Sequence, residues 1–312
     1  MTDRKLISIV TPAYDEQENV AELARRLRAV FDAHPGYDFE VIIVENGSRD
    51  DTWPLVIREC EADPRFKALR LSRNFGADGG ITAGLTRASG DAAVIMCADL
   101  QDPPEMIGEF IAKWEEGYEN VYGIVTKRTG SSALRRMNSR LFYWLINKLT
   151  EGAFPKNASD FRLVDRRVYE TINDMRERNR FMRGMFFWSG FSSIGIPHER
   201  PERFAGESKA STAHVVALAL KGILSYSYFP LRLITYVGLA VSAFSFLLLV
   251  WVVVRVFLYG VPFAGYGTLI SVVLLMFGIM FTMLGVVAEY VGLIYDEVKH
   301  RPTFVVKDEI GL

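Results

Sequence analysis

Short apolar runs alternate with amphipathic stretches over the first two-thirds of the chain. The apolar runs predict strands at Leu6–Val10, Phe39–Val44, Lys67–Leu71, Ala92–Cys97 and Asn120–Val125. The amphipathic stretches predict helices at Glu16–Ala33, Asp51–Glu61, Gly79–Ala88 and Pro104–Glu116. Nearly continuous apolar strands that alternate with helices are typical of a mostly parallel sheet covered on both faces. The pattern therefore predicts an α/β domain.

The character of the chain changes after Pro230, where long apolar stretches replace the alternation. Leu233–Val254 carries no charged residue, and a second apolar stretch follows a break rich in glycine and proline. A helix that spans a bilayer needs about 20 apolar residues. We therefore predict a two-helix transmembrane hairpin, with spans at about 233–256 and 267–290, in place of buried core helices.

Charged residues beside the two spans predict their orientation. Arg232 precedes the first span, and Lys299, His300 and Arg301 follow the second. The positive-inside rule then puts both termini in the cytoplasm. The run Leu6–Val10 is too short to be a signal peptide.

These features divide the chain into four predicted parts. They are a cytoplasmic domain at 1–210, a juxtamembrane amphipathic helix at 211–230, the hairpin at 231–295 and a cytoplasmic tail at 296–312. Gly278 and Gly285 in the second span permit close helix contacts, which leaves a homo-oligomer open. The net charge of −1 argues against nucleic acid as a partner.

Polar residues follow three of the predicted strands, at the edge of the sheet where ligands bind in such folds. Asp99 and Gln101 follow the fourth strand, on one side of a segment that we predict to be extended. Their oxygens suit Mg²⁺ or Mn²⁺; the alternative for Asp102 and Pro103 is a helix start. Glu45 and Asn46 are candidates to bind a nucleobase edge, and the alternative is turn chemistry.

Several of these segments together resemble one known family. They are Thr-Pro-Ala-Tyr-Asp-Glu at 11–16, Val-Glu-Asn-Gly-Ser-Arg-Asp-Asp-Thr at 44–52, Ser-Arg-Asn-Phe-Gly at 72–76, Ala-Asp-Leu-Gln-Asp-Pro-Pro-Glu at 98–105, Ser-Asp-Phe-Arg at 159–162 and Arg-Phe-Ala-Gly-Glu-Ser-Lys at 203–209. In this order they resemble the family 2 glycosyltransferases. The most similar group is the polyprenyl-phosphate glycosyltransferases, which include dolichyl-phosphate mannose synthase and the bactoprenol glucosyltransferases.

The resemblance implies a nucleotide-binding fold of the glycosyltransferase A type and assigns roles to individual residues. It implies a nucleotide-sugar pocket lined by Pro12, Tyr14, Glu16 and Glu45, with Mg²⁺ or Mn²⁺ held on the diphosphate by Asp99 and Gln101. It also implies that Asp160 lies near the acceptor phosphate as the candidate catalytic base.

Cationic residues beside these motifs are candidates for binding phosphate. For the acceptor phosphate these are Arg128, Arg136, Arg140 and Arg162. The first three precede or lie in the amphipathic stretch Leu134–Leu149. This stretch suits a helix in the membrane interface, and the alternative is an ordinary surface helix. Arg203 and Lys209 flank a glycine turn and are candidates to close over the donor diphosphate, the alternative being a solvated loop.

The expected reaction moves a sugar from a nucleotide-sugar to a polyprenyl phosphate with inversion at the anomeric carbon. UDP-glucose is the first expectation for the donor, and GDP-mannose and other UDP-sugars stay open. A processive polysaccharide synthase is the first alternative, but it would need more spans and a Gln-x-x-Arg-Trp motif that this chain lacks. An inactive membrane scaffold is the second, and a dinucleotide-binding oxidoreductase the third, although Gly-x-Gly-x-x-Gly does not follow the first strand.

The chain departs from the family pattern at two positions. Glu45-Asn46 stands where the family usually has Asp-Asp or Asn-Asp, and Cys97 stands where it usually has a further aspartate. A thiol is a poor ligand for a hard cation. These departures favour the scaffold alternative, whereas Asp99, Gln101 and Asp160 favour an active enzyme.

Overall fold

The computed structural model describes residues 4–128, 155, 157–201, 204, 229–260 and 265–312. The chain forms two compact units. The larger comprises Met1–Gly222 and Arg301–Leu312, and the smaller comprises Ile223–His300.

The larger unit is built on an eight-stranded sheet within the described residues. The strands are β1 (Leu6–Ala13), β2 (Asp38–Glu45), β3 (Phe66–Leu71), β4 (Ala92–Ile95), β5 (Asn120–Arg128), β6 (Ala158–Asp165), β7 (Ser193–Arg200) and β8 (Val306–Ile310). Their order is β7-β5-β6-β4-β1-β2-β3-β8. Only β6 and β8 run antiparallel to their neighbours among these strands, which confirms the predicted mostly parallel sheet.

Helices cover both faces of this sheet. They are α1 (Val20–Ala33), α2 (Thr52–Ala62), α3 (Gly76–Leu85), α4 (Ile107–Glu115), α5 (Arg166–Asp174) and α6 (Met182–Trp188). Alternate residues of a strand point to opposite faces, so Ile43 joins the core under α1, α2 and α4, and Val44 joins the core under α3. Burial on both faces explains why these strands are apolar throughout.

The pattern of apolar residues does not predict three of the observed strands. Strand β6 carries charged residues, including the buried Arg162, and β8 is a charged edge strand with the sequence Val-Lys-Asp-Glu-Ile. Strand β7 is only partly buried. None of them forms an apolar run, because each is exposed or packed around polar groups.

The smaller unit contains two long apolar helices, α7 (Phe229–Tyr259) and α8 (Tyr266–Val298). By length and composition, both contain segments able to cross a membrane. They contact each other, since Met283 of α8 lies 3.3 Å from the position of a Cβ atom on Gly238 of α7. The structure thus has two apolar helices arranged as a hairpin, at the predicted positions.

The residues after α8 rejoin the larger unit. Strand β8 pairs antiparallel with β3, and the Ser72 N–H donates to the Val305 carbonyl oxygen over 2.9 Å. Phe304 and Val306 pack on the core beneath α3. The segment predicted as a tail at 296–312 therefore supplies the edge of the sheet.

Candidate active site

The polar residues singled out in the sequence come together at one edge of the sheet. Ala13 pairs with Glu45 at the ends of β1 and β2, and Val10 pairs with Ile95 at the end of β4. Strand β6 runs the opposite way, so its first residues lie at this same edge: Arg162 pairs with Ile95, and Asp160 lies beyond it. Four loops and strand ends thus face one site.

The loops after β1 and β2 are fastened to each other by hydrogen bonds. The Asp15 N–H donates to Ser48 Oγ over 3.0 Å, and the Arg49 N–H donates to Asp15 Oδ1 over 2.8 Å. The Glu16 N–H donates to Thr52 Oγ1 over 2.8 Å. The half-buried residues on this paired surface include Pro12, Tyr14 and Glu16. These hydrogen bonds from backbone N–H groups to side-chain oxygens fix the two loops of the predicted nucleotide pocket relative to each other.

Glu45 is fully buried, and its carboxylate already has protein partners. It accepts hydrogen bonds from the Ser48 N–H and, over 3.2 Å, from Arg70 Nε. Asn46 Nδ2 donates to the Gly76 carbonyl oxygen over 2.9 Å, and its Oδ1 accepts from the Phe75 N–H. In this structure both side chains hold turns, as the alternative of turn chemistry expects, and a contact of Glu45 or Asn46 with a nucleobase stays a prediction.

The segment after β4 is a turn, and the prediction of an extended segment there is wrong. Leu100 has a φ of +57°, and Asp99 Oδ1 accepts from the Gln101 N–H over 3.1 Å. Gln101 Nε2 donates to the Pro201 carbonyl oxygen over 3.4 Å. Local hydrogen bonding of an aspartate to the backbone competes with strand geometry. Asp99 and Gln101 remain neighbours, but through a turn.

Asp102 is a buried carboxylate, for which the sequence predicted only a position at the start of a helix. The Cys97 N–H donates to its Oδ2 over 3.1 Å, while its Oδ1 has no hydrogen-bond partner among the described residues. Burial raises the pKa of Asp102 to about 6, although the Arg200 guanidinium, 3.8 Å away, opposes that rise. Burial also raises the pKa of the Cys97 thiol well above its ordinary value, so this group stays protonated.

Asp160 lies at the rim of the site and forms a two-point ion pair with Arg183 of α6. Arg183 Nε donates to Asp160 Oδ1 over 2.9 Å, and Arg183 Nη2 donates to Oδ2 over 2.6 Å. Arg183 is not among the residues predicted from the sequence. A signal was present, because it is the one charged residue in the apolar segment Met182–Trp188, and an arginine inside such a helix needs a partner.

Arg162 does not reach the surface of the site. It is fully buried, its Nη2 donates to the Ser159 carbonyl oxygen over 2.9 Å, and its guanidinium lies 4.5 Å from the centre of the Phe186 ring. Burial lowers its pKa to about 10. Arg162 thus packs inside the domain in this structure, and its contact with an acceptor phosphate stays a prediction.

Most of the remaining predicted phosphate contacts lie outside the described part of the chain. Arg136, Arg140, Arg203 and Lys209 lie outside the described residues. So do the stretches Leu134–Leu149 and 211–228. Arg128 ends β5, where its backbone is paired with Arg200 of β7.

The described part of the chain holds no group of three or more histidine, cysteine, aspartate or glutamate side chains that could bind a metal ion by itself. The turn after β4 nevertheless offers oxygen donors: Asp99, Gln101 and Asp102, whose Oδ1 has no hydrogen-bond partner among the described residues and lies 3.8 Å from Arg200 Nη2. Mg²⁺ is often bound by one or two carboxylates together with substrate phosphates. These donors fit that kind of site and not a closed protein cage.

Comparison with known proteins identifies the family of this chain. Residues 8–173 match the family described as Glycosyl transferase family 2. The chain belongs to glycosyl transferase family 2. The matched region contains all four strand ends of the site, including Asp99 and Asp160, whereas Arg183 and Arg200 lie beyond it. Membership confirms the predicted glycosyltransferase activity and the nucleotide-binding α/β fold of the A type.

Curated relatives of this glycosyltransferase match it over nearly its whole length. An uncharacterized glycosyltransferase, YkcC, of Bacillus subtilis (strain 168) is 39% identical over 98% of this chain and 94% of its own. A bactoprenol glucosyl transferase of Shigella phage SfV is 38% identical over 97% of this chain and 98% of its own. A prophage bactoprenol glucosyl transferase homolog of Escherichia coli (strain K12) is 36% identical over 96% of this chain and 98% of its own.

Proposed function

We propose that this glycosyltransferase moves glucose from UDP-glucose to a polyprenyl phosphate at the cytoplasmic face of a membrane. The observation that carries the proposal is the near-complete match to bactoprenol glucosyl transferases, which extends through both apolar helices. A lipid acceptor also accounts for a family 2 domain joined to helices long enough to cross a bilayer.

The topology of the chain supports the proposed location. The segments before α7 and after α8 belong to the same folded unit, because β8 completes the sheet begun by β1–β3. A hairpin whose two ends enter one domain must cross a membrane an even number of times. Basic residues beside its ends favour the cytoplasmic side for that domain.

The proposed reaction is one displacement at the anomeric carbon. An oxygen of the acceptor phosphate forms a bond to that carbon, the bond from carbon to the diphosphate oxygen breaks, and UDP leaves with the electron pair. The second pKa of a phosphate monoester is near 6, so most of the acceptor is already a dianion at pH 7. Asp160 therefore orients the acceptor and takes a proton only from the remaining monoanion.

The turn after β4 would hold Mg²⁺ or Mn²⁺ on the donor diphosphate through Asp99 and Gln101. When bound, the ion stabilises the negative charge that develops on the leaving group. Cys97, whose thiol stays protonated, takes no part in this binding. Gln101 Nε2 donates to the Pro201 carbonyl oxygen, and the amide oxygen Oε1 is the atom that would bind the ion.

The test is sugar transfer to a polyprenyl phosphate by the purified full-length protein, with a panel of labelled nucleotide-sugars. We expect a lipid product from UDP-glucose that requires a divalent ion. Asp99→Ala and Asp160→Asn should each lower the rate roughly a hundredfold or more. Asp38→Asn is the matched control, because this exposed carboxylate lies at the opposite end of β2.

Each other result has a defined meaning. A product from a different nucleotide-sugar would keep the reaction and replace the sugar. A folded protein that gives no lipid product with any donor would contradict the proposal and support the scaffold alternative. Equal activity with the ion chelated would contradict the roles of Asp99 and Gln101.

A further inference from the structure

Asp160 and Arg183 form a closely fitted charged pair at the rim of the site. Two parallel hydrogen bonds join the guanidinium to the carboxylate, over 2.9 and 2.6 Å. This two-point geometry fixes the plane of the carboxylate as well as its position. A lysine, which presents a single charged point, would not do both.

The pair remains accessible to a ligand. The side chain of Asp160 is 43% exposed and that of Arg183 is 24% exposed. By contrast Arg162, the arginine nearest in sequence, is fully buried and donates to backbone carbonyl oxygens. Among the described residues, Arg183 is therefore the guanidinium that hydrogen-bonds to the Asp160 carboxylate at the open rim.

Helix α6 is anchored so that Arg183 keeps this position. The Met182 N–H donates to Asp78 Oδ1 of α3 over 3.3 Å, and Thr82 Oγ1 of α3 lies 3.5 Å from the Met182 sulfur. Met185 and Phe186 on the following turn are buried. An anchored helix lowers the conformational entropy lost when an arginine holds one orientation.

Other charges act on Asp160 from the neighbouring elements. Arg162 of β6 and Arg200 of β7 attract its negative charge, and the Asp102 carboxylate after β4 repels it. Burial by itself raises the pKa of Asp160, but the charge and hydrogen bonds of Arg183, together with the charges of Arg162 and Arg200, outweigh burial and hold that pKa below its ordinary value. The group is thus a carboxylate whenever a phosphate arrives.

A fixed carboxylate next to a phosphate site poses an electrostatic problem, because the acceptor phosphate is itself an anion. Like charges in a partly buried site repel each other strongly. Arg183 offsets the charge of Asp160 without displacing it. The pair can then receive a phosphate that the carboxylate alone would repel.

We propose that Arg183 is a positioning residue for the acceptor: it orients the Asp160 carboxylate and cancels its charge, so that the acceptor phosphate can approach. This inference rests on the proposed function. It adds a residue outside the matched family region and assigns it to the acceptor half of the reaction.

Steady-state kinetics with both substrates varied separately test this role. Arg183→Met should raise KM for polyprenyl phosphate roughly ten- to a hundredfold. KM for the nucleotide-sugar should stay within about twofold, because Arg183 acts on the acceptor through its hydrogen bonds to Asp160. Arg183→Lys should recover most of the acceptor KM but not kcat, since it restores the charge without the two-point orientation.

A double variant separates positioning from general stability. If Arg183 acts through Asp160, then Asp160→Asn with Arg183→Met should be no slower than Asp160→Asn alone. Arg167→Met is the matched control, because it removes an exposed arginine–glutamate pair elsewhere on the same unit. The proposal would be overturned if the rate losses of the two single variants multiplied in the double variant. It would also be overturned if Arg183→Met raised both KM values equally. If Arg183→Met does not fold, Arg183→Lys tests the orienting role through kcat: a lowered kcat with both KM values near those of the wild type supports it, and an unchanged kcat overturns it.

Binding of dodecyl phosphate, measured by calorimetry, distinguishes this proposal from the proposed function. If the wild type transfers no sugar, the proposed function fails, yet weaker binding of dodecyl phosphate by Arg183→Met would still support the role of Arg183. Equal affinity in the wild type and this variant would overturn it, whatever the transfer assay shows.

Discussion

At the scale of single residues, the partners of each carboxylate decide what it does. Asp160 has its partner at the rim of the site, where a ligand can also reach it. Asp63 is nearly buried after α2, where it accepts hydrogen bonds from the backbone and side chain of Arg65 and from Arg28 of α1. The bonds from Arg65 are the main reason that the pKa of Asp63 falls to about 2; burial opposes them, and Arg28 adds to them.

Asp63 should therefore stabilise the fold in a pH-dependent way. Its pKa is lower in the folded protein than its ordinary 3.8, so its stabilising effect is complete above about pH 4 and is lost as pH falls toward 2. Asp63→Asn should lower the free energy of unfolding at pH 7 by about 2 kcal/mol. Denaturant unfolding at pH 7 and pH 3 checks this. The difference in the free energy of unfolding between the wild type and the variant should be smaller at pH 3 than at pH 7. A difference that does not depend on pH would contradict the role assigned to Asp63.

At the scale of elements, α3 can lie close to the sheet because its inner face is made of glycine. A Cβ atom on Gly80 would lie 2.8 Å from Cβ of Pro12 and 3.6 Å from Nδ2 of Asn46. A Cβ atom on Gly84 would collide with Val10. These glycines weaken the helix by themselves, but they let α3 support the loops of the predicted nucleotide pocket.

Gly80→Ala should disturb the donor pocket. The ring of Pro12 cannot rotate away from an added methyl group, so α3 or the loop after β1 must move. We expect the free energy of unfolding to fall by about 1–3 kcal/mol. We also expect the KM for the nucleotide-sugar to rise more than the KM for the acceptor. Thermal unfolding and kinetics measure these effects. Gly36→Ala is the control, because a Cβ atom there meets no atom within 4 Å; equal effects in both variants would refute the packing argument.

At the scale of the whole molecule, the catalytic unit is assembled from both sides of the apolar hairpin. Strand β8 comes from the end of the chain, yet it covers the edge of β3 and brings Asp308 to 3.6 Å from Arg70, which also contacts Glu45. Glu309 pairs with Arg87 at the same edge. The end of the chain therefore supports the residues beneath the predicted nucleotide pocket.

Removal of residues 306–312 should destabilise this unit and expose a sheet edge. An uncovered edge strand is a template for association between chains. We expect a lower unfolding temperature and more self-association than in the wild type, measured by thermal unfolding and light scattering in the same detergent. Lys307→Ala, at an exposed position of the intact strand, should change neither. A truncated protein that behaves like the wild type would show that β8 is dispensable.

The sequence by itself determined the elements whose signal is local. Five parallel strands, four of the helices and the two long apolar helices follow from the spacing of apolar residues, because burial on one or both faces imposes a fixed period. The motifs at the ends of β1, β2 and β4 also follow, because ligand sites of such sheets lie at those ends. The boundaries differ by a few residues, as at α1, which begins at Val20 after a turn and not at Glu16.

Only the tertiary structure decided which charged groups meet. Arg183 reaches Asp160 across 23 positions of sequence, and Arg200 reaches Asp102 from a strand that has no apolar pattern of its own. Arg162 and Glu45 had the right chemistry for binding but are buried, because the register of β6 and β2 turns them inward. Periodicity specifies which face of an element is apolar. The partner of a charge depends on strand register and helix docking, which are properties of the assembled fold.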